Sequence, residues 1–380
     1  MSVHETRYGT FEVKYREAGR QRSKSFHPRH YGSRAEAKRA AHDFDHAQAR
    51  RRAEGRPVLR RKDLPTLREF AVSWLATKRN LTPETEAYYD RLLCDHVLPE
   101  LGHLSLLDLR PAVLGRWQQD RLEAGAGPAA VGRAGQLLGQ ILKRAVAVEY
   151  LDANPMAAID PPAYRRRDHR WASPAQVELL RAWFLGRRDL ASATLVAVLG
   201  YVGIRPQDAL GLYWQDVLDK RIRVIRKCVD GEIRPGSKTG NRYLRTIDIP
   251  AQVSSDLAEW RIASARVQGL VFPRRGDGKP WKKYDWDNWR SQRFVKACAA
   301  AGLKRFVPYD LRHTAATLMI AAGASAAEVA YQLGHSVAES TGTYQHLLDE
   351  ARGEPPRPLE MMIRTARARV FGDQQERATA

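Results

Sequence analysis

The chain has 380 residues, 43% of them hydrophobic, and is long enough for roughly two or three domains, each with its own core. Its 63 Lys and Arg exceed its 43 Asp and Glu and give a net charge of +20, so nucleic acid is the leading expected partner. Three scattered cysteines and a longest apolar run of only residues 191–204 argue against a disulfide or zinc framework and against a membrane span, and favour the cytoplasm.

The first sixth of the chain carries half of the net charge. Residues 11–16 and 21–26 alternate apolar and polar side chains on either side of a short turn, which predicts a β-hairpin. Ser33 and Glu36 have the spacing of a capping box, which predicts a helix that runs to about residue 52. This part of the sequence therefore predicts a small basic α+β module, followed by a basic linker.

A helical unit is predicted next. Thr66 and Glu69 form a second capping box, and the apolar side chains that follow recur at helical spacing. Further helical patterns cover residues 83–96, 111–124 and 128–149, with breakers at 99–102 and 124–127 between them. Residues 160–170 are polar, basic and rich in proline, which predicts the main linker of the chain.

Helices dominate the remaining sequence, with one predicted hairpin. Residues 221–227 and 243–249 both alternate, and the long basic tip between them contains Lys238. Ser325 and Glu328 form a third capping box, which predicts a helix that ends at the following glycine.

Two arginines, a histidine and a tyrosine stand out in this region. Arg205 follows the apolar run and precedes Pro206, which suits the first position of a helix. Arg312 lies in the first turn of another predicted helix, where the helix dipole favours a phosphate. His335 follows a helix end, and Tyr344 stands nine residues later. A phenol, with a pKa of about 10, attacks a phosphodiester well only if cations stabilise the developing charge, so this set suggests phosphoryl transfer.

Each of these residues also has a purely structural interpretation. Arg205 suits a helix C-terminus or an ion pair with Asp208, and His335 suits a helix end. Lys238 has the sequence context of a solvated turn lysine. His313, directly after Arg312, is expected to be a packed and hydrogen-bonded residue.

In the order arginine, lysine, arginine, histidine, tyrosine, these motifs resemble the tyrosine recombinase (phage integrase) family, and in particular lambda-like integrases with an arm-binding domain. The resemblance implies a multidomain, mainly α fold with three domains. These are a small α+β arm-type DNA-binding domain at residues 1–56, a helical core-binding (SAM-like) domain at 64–160, and a mostly helical catalytic domain with a small β-sheet at 171–372.

The resemblance also implies roles for the site residues. Tyr344 would be the nucleophile, Arg205, Arg312 and His335 would contact the phosphate, Lys238 would be the general acid, and Asp208 would support Arg205. Tyr309 stands where the family usually has a histidine, so proton handling at that position is in question. The candidate DNA-binding residues are Lys14, Arg16, Arg22, Lys24, Arg50, Arg51 and Arg52.

The expected activity is site-specific recombination through a 3′-phosphotyrosyl intermediate that integrates a phage or mobile element, the direction being open between integration and excision. Neither a metal, another cofactor nor ATP is expected to take part. The expected partners are double-stranded DNA with core and arm sites, three further copies of the chain in a tetramer on DNA that exchange the segment 346–372, and accessory DNA-bending or directionality proteins. The alternatives are a type IB topoisomerase and, because of Tyr309, a DNA-binding regulator that has lost catalysis.

Overall fold

The structure, a computed structural model, describes residues 3–17, 20–53, 64–164, 170–236, 244–338, 341–344 and 356–379, without the side chains of 16, 17, 20, 47, 48, 50–53 and 373–379. The chain divides into two compact units, Met1–Arg166 and Arg167–Ala380. It is mainly helical with small sheets, as expected. Across the described ranges, no helix combines the length and the apolar character needed to span a bilayer.

The first unit begins with a small α+β module. Its elements are the antiparallel strands β1 (Val3–Glu5), β2 (Phe11–Glu17) and β3 (Arg20–Phe26), followed by helix α1 (Arg34–Ala53). Phe11, Val13 and Phe26 from the sheet pack against small side chains of α1. Ser33 Oγ accepts a hydrogen bond from the Glu36 amide at 3.1 Å, so the predicted helix start is confirmed. The predicted hairpin is confirmed as β2–β3, whereas β1 was not predicted.

A bundle of helices completes this unit. Its helices are α2 (Leu67–Ala76), α3 (Pro83–Leu92), α4 (Leu98–Leu101), α5 (Pro111–Glu123) and α6 (Pro128–Ala147). The capping box of Thr66 and Glu69 is present, as predicted. The predicted break after residue 96 is wrong, because a π-helical turn at Leu93–Val97 carries α3 into α4. Pro99 is accommodated in this helical run because carbonyl groups of the preceding turn accept from side chains, Asp95 O from Arg121 Nη2 at 3.1 Å and His96 O from Trp117 Nε1 at 2.7 Å.

The second unit holds the remaining elements. In chain order they are α7 (Pro174–Leu185), α8 (Leu190–Ala197), α9 (Pro206–Leu210), β4 (Arg221–Val224), β5 (Arg226–Val229), β6 (Glu232–Pro235), β7 (Arg245–Asp248), α10 (Ala251–Ser264), α11 (Lys283–Asn288), α12 (Val295–Ala300), α13 (Asp310–Ala321), α14 (Ala326–Leu333) and α15 (Leu359–Thr379). A π-helical turn, Val198–Val202, extends α8 up to Gly203. Residues 341–344 form a further short helical stretch.

The predicted hairpin is present, with an addition. Strand β4 pairs antiparallel with β7, with Arg221 opposite Asp248. Strands β5 and β6 form a second hairpin that was not predicted. The alternating pattern of residues 221–227 breaks at Val224 and Ile225, two adjacent apolar residues, and this is where the chain leaves one sheet and enters the other. Lys238 lies outside the described residues.

Buried apolar helices form the frame that positions the site. Residues 192–197 of α8 are all buried, and so is most of α13, including Leu311, Ala315 and Leu318. Because most side chains of these two helices are buried, both lie inside the unit, where polar side chains are held by fixed partners.

Candidate active site

Three arginines converge on the C-terminal end of α14. Arg205 precedes α9, Arg245 begins β7, and Arg312 lies in the first turn of α13. The contacts are Arg245 Nε to Gln332 O at 3.1 Å, Arg245 Nη2 to Leu333 O at 3.1 Å, Arg312 Nη2 to Leu333 O at 2.6 Å and Arg205 Nη2 to Gly334 O at 3.4 Å. The last carbonyl groups of a helix have no partner within it and carry its negative dipole end, so guanidinium groups are well suited to bind them.

Arg312 is the most enclosed of the three, with 1% of its surface exposed. It also donates from Nη1 to the Gly203 carbonyl at 2.8 Å. Its Nε is buried, with no hydrogen-bond acceptor among the described residues. Burial, followed by the positive charge of Arg205, lowers the pKa of Arg312 to about 10, so the guanidinium is charged at neutral pH.

His335 lies directly beside this guanidinium. Its Nε2 is 2.5 Å from Arg312 Nη2, and because an arginine only donates, Nε2 accepts and the ring proton is on Nδ1. Burial, then the charges of Arg312 and Arg205, lower the pKa of His335 to about 3. The imidazole is therefore neutral at physiological pH.

Asp208 is the acidic residue of this group. Its carboxyl is 3.8 Å from Arg205 Nη1, in the i, i+3 arrangement that the sequence suggested. Burial raises the pKa of Asp208, and the charges of the three arginines oppose part of that rise. Within the described part of the chain, these three guanidinium groups lie close to one carboxyl, that of Asp208, so the cluster carries excess positive charge and suits an added anion.

Two glycines allow the elements to approach each other. Gly203 has φ +76°, and a Cβ there would lie 2.7 Å from Leu333 Cδ2. Gly334 ends α14 with φ +70°, as the sequence predicted, and a Cβ there would lie 2.7 Å from Arg245 Nη1. Both positions require the left-handed conformation and lack room for a side chain.

Tyr344 is buried near this cluster, with 2% of its surface exposed. Its ring packs in a small apolar group with Ala316 and Ile320 of α13 and Val329 and Leu333 of α14. Its hydroxyl is 2.7 Å from Nδ1 of His313. The structure thus brings five of the predicted site residues into one region, namely Arg205, Asp208, Arg312, His335 and Tyr344.

Tyr309 is not enclosed in the arginine cluster. It stands immediately before α13 with 44% of its surface exposed, and its ring lies edge-on to His313 with the centroids 5.6 Å apart. Its nearest described ring partner is thus His313, the residue through which it is linked to Tyr344.

Two features of this region were not predicted from the sequence: that Arg245 belongs to the cluster, and that His313 contacts Tyr344. Arg245 had a usable signal, because Arg245 and Ile247 are the inward-facing positions of an alternating strand, and an arginine at such a position needs acceptors. His313 was expected to be hydrogen-bonded, but no local pattern predicts a partner 31 residues later in the chain.

The basic residues predicted to bind DNA do not share one face of the sheet. Lys14 is exposed, whereas Lys24 pairs across the sheet with the buried Val13 and lies over the Phe44 ring at 4.4 Å. Burial and then Arg110 lower the pKa of Lys24. Arg22 is exposed on the same face as Lys24, because alternate residues of a strand point the same way. The side chains of Arg16, Arg50, Arg51 and Arg52 lie outside the described residues.

Two sequence profiles match the chain. Residues 174–351 match the Phage integrase family, and residues 66–122 match the SAM-like N-terminal domain of phage integrases. The first match contains every element of the arginine cluster described above. The second covers α2 to α5 of the helical bundle.

Individual proteins are similar over most of the chain. An integrase named for prophage phiRv2 of Mycobacterium tuberculosis strain H37Rv is 28% identical over 291 residues, 73% of either chain. The Tn1549 transposon integrase in complex with a circular intermediate DNA has a TM-score of 0.64 at 17% identity, over 74% of this chain and 95% of that one. A lambda integrase tetramer bound to a Holliday junction has a TM-score of 0.56 at 16% identity, over 88% and 95%. At these identities the two structures establish a common fold.

Proposed function

The chain belongs to the phage integrase family of tyrosine recombinases, and we propose that it integrates a phage or other mobile element into DNA. The observation that supports this most directly is the convergence of three arginines and His335 at the end of α14, next to Tyr344. The small basic α+β module at the N-terminus favours an integrase over a recombinase that resolves chromosome dimers, because such an enzyme needs no second DNA-binding module for arm sites.

In the proposed reaction, the Tyr344 hydroxyl attacks the scissile phosphorus. The bond from phosphorus to the 5′ oxygen breaks, and the DNA keeps a 3′-phosphotyrosyl ester. Arg205 and Arg312 stabilise the charge that develops on the non-bridging oxygens. His335 donates to one of those oxygens from Nε2, which requires that the phosphate replace the contact of Nε2 with Arg312 and that the ring proton move from Nδ1 to Nε2. Lys238 protonates the departing 5′ oxygen.

This mechanism uses charge already fixed in the protein. Arg312 is held by backbone carbonyls of Gly203 and Leu333, so its guanidinium does not need to reorganise when phosphate arrives. Because the phosphotyrosyl ester conserves the energy of the broken bond, a second DNA end can attack it without ATP. We propose that the arginines supply the charge stabilisation and that no metal or other cofactor takes part.

Four copies are proposed to assemble on DNA in the cytoplasm, as the lambda integrase structure has a tetramer on a Holliday junction. The segment expected to pass between copies includes the start of α15. In the described chain, Ile363, Ala366 and Val370 of α15 are buried against its own unit, and Arg367 donates to Asp256 at 2.5 Å. Exchange would therefore remake these contacts on a neighbour. Accessory DNA-bending or directionality proteins are further proposed partners.

The test is covalent adduct formation on a suicide substrate. A duplex from the junction between the element and the chromosome, nicked beside the cleavage point, is incubated in EDTA with wild type, Tyr344→Phe or Tyr331→Phe. Tyr331 is the matched control, because its hydroxyl donates to the Thr246 carbonyl at 3.0 Å and 60% of its surface is exposed. We expect adducts from wild type and Tyr331→Phe and none from Tyr344→Phe, although all three bind the duplex. Tight binding by wild type without any adduct would refute the proposal.

A further inference from the structure

One titratable side chain touches the atom that would react. His313 Nδ1 lies 2.7 Å from the Tyr344 hydroxyl, and the two ring centroids are 5.8 Å apart. His313 is half-buried and Tyr344 is almost fully buried, so water competes little for this hydrogen bond. None of the roles proposed above uses His313.

The helix itself explains why these two groups meet. Residues 313, 316 and 320 follow one another along a single stripe of α13, at i, i+3 and i+7. Ala316 and Ile320 pack against the Tyr344 ring, and His313 meets its hydroxyl at the end of the same stripe. Arg312, the preceding residue, points to the end of α14 instead. One turn of α13 therefore supplies both a cation for the phosphate and a polar partner for the tyrosine.

The direction of the hydrogen bond follows from acidity. A phenol is a much stronger acid than the N–H of a neutral imidazole, so the Tyr344 hydroxyl donates and His313 Nδ1 accepts. The ring proton of His313 is then on Nε2. In this tautomer, His313 has a lone pair aimed at the proton that Tyr344 must lose in order to attack phosphorus.

We propose that His313 is the base that removes the hydroxyl proton of Tyr344, an inference that rests on the proposed recombinase function. As Tyr344 Oη bonds to phosphorus, its proton passes to His313 Nδ1, the bond from phosphorus to the 5′ oxygen breaks, and the proposed acid protonates that oxygen. In the joining step a 5′ hydroxyl attacks phosphorus and gives its proton to the acid's conjugate base. The Tyr344 oxygen then leaves and regains its proton from His313.

Other groups that can carry charge lie close to His313. They include Tyr309 immediately before its helix, Tyr344 on the short stretch 341–344, His335 after α14, and the Arg312 guanidinium one residue away. Tyr309, at the position where the sequence raised a question about proton handling, lies against His313 rather than in its place. The proton-handling role is thus assigned four residues further along the same stripe.

The experiment compares wild type with His313→Asn in single-turnover adduct formation between about pH 6 and pH 9. Asparagine keeps an acceptor near the Nδ1 position but cannot carry a proton at these pH values. The wild-type rate should rise with pH and level off within this range, once its base has lost its proton. His313→Asn should be at least about 100-fold slower at pH 7, and its rate should climb about tenfold per pH unit as the phenol itself ionises.

A loss of adduct rate in His313→Asn that becomes smaller as the pH rises supports His313 as the base. A loss of the same size at every pH, or no loss, overturns it and leaves His313 a packing residue. If His313→Asn binds no DNA or melts early, the wild-type profile alone suffices, because a rate that climbs to pH 9 without levelling off contradicts a histidine base. Failure of the recombinase proposal itself is recognised separately, by the absence of any adduct from wild type.

Discussion

Two buried clusters of arginine and acidic side chains in the described part of the second unit differ in what binds the arginines. The neutral cluster consists of Glu178, Arg181, Asp256 and Arg367. The anion cluster consists of Arg205, Asp208, Arg245 and Arg312. The first pairs each guanidinium with carboxylates, whereas the second binds its guanidinium groups mainly to backbone carbonyls at the end of α14.

In the neutral cluster, charge is balanced within the protein. Arg181 contacts Glu178 and lies 2.6 Å from Asp256, and Arg367 lies 2.5 Å from Asp256. Tyr201 adds a hydrogen bond to Glu178 at 2.7 Å. The pKa of Arg367 is raised in spite of its burial, because Glu178 and Asp256 stabilise its charge. Such a cluster holds α7, α10 and α15 together and has no use for a further ion.

In the anion cluster the described arginines outnumber the carboxyl group beside them. The same burial that is compensated around Arg367 lowers the pKa of Arg312, because its charged neighbours are mostly other arginines. A buried arginine by itself therefore indicates nothing about function. A buried arginine that is bound mainly by backbone carbonyl groups, rather than by carboxylates, marks an anion site.

Breaking the neutral cluster should give the largest loss of stability. Arg181→Gln leaves two buried carboxylates with only Arg367, and we expect the free energy of unfolding to fall by about 3–5 kcal/mol. Chemical denaturation of the full chain measures this. The matched control is Arg187→Gln, because Arg187 lies on the surface and contacts the Trp183 ring and carbonyl; a loss there as large as in Arg181→Gln would contradict the account.

Disturbing the geometry of the anion cluster should have a smaller effect on stability. Gly334→Ala would strain a backbone at φ +70° and push a methyl group against Arg245, at a cost of about 2–4 kcal/mol. Since this movement also displaces His335, the adduct rate should fall with it. Gly342→Ala is the control, because a Cβ there meets nothing within 4 Å. Equal melting temperatures and adduct rates for the two variants would show that the close approach at Gly334 is unimportant.

The smallest effect expected is on the pH dependence of stability. His335 is neutral in the folded chain down to about pH 3, whereas in the unfolded chain it binds a proton below about pH 6.5. Stability is therefore fully present above pH 6.5 and is lost as the pH falls through this window, by about 2 kcal/mol at pH 5. His335→Gln should remove this part of the dependence. The buried Asp208 acts in the opposite direction, because its pKa is raised, so the difference between wild type and variant is the quantity to measure.

Local signals in the sequence predicted the helix boundaries well. Capping boxes at Thr66 and Ser325 and the glycine at the end of α14 are confirmed, since their hydrogen bonds join residues only a few positions apart. The break predicted at Pro99 was wrong, because carbonyl groups of the preceding turn accept hydrogen bonds from side chains of α5 instead. The division of residues 221–227 between two sheets depends on distant partners, and its local mark is the adjacent apolar pair Val224 and Ile225.

The site was predicted as a set of residues rather than as a geometry. The resemblance named Arg205, Arg312, His335 and Tyr344 correctly as neighbours, because their order along the chain is typical of one family. It gave no sign that Arg245 joins them or that His313 meets Tyr344, since both contacts depend on how α13, α14 and β7 pack.

The measurement that tests the central claim most directly is the adduct rate of Arg205→Gln beside that of Arg181→Gln, with unfolding followed for both. Arg205 has the most exposed side chain of the three arginines, at 30%, and its hydrogen bond to Gly334 is long at 3.4 Å. Its loss should therefore cost much less stability than the loss of Arg181, while slowing adduct formation about 100- to 1000-fold. Arg181→Gln should be less stable but react at nearly the wild-type rate per folded molecule. If instead Arg205→Gln reacts like wild type, or Arg181→Gln slows the chemistry as much, the distinction between the two clusters is wrong.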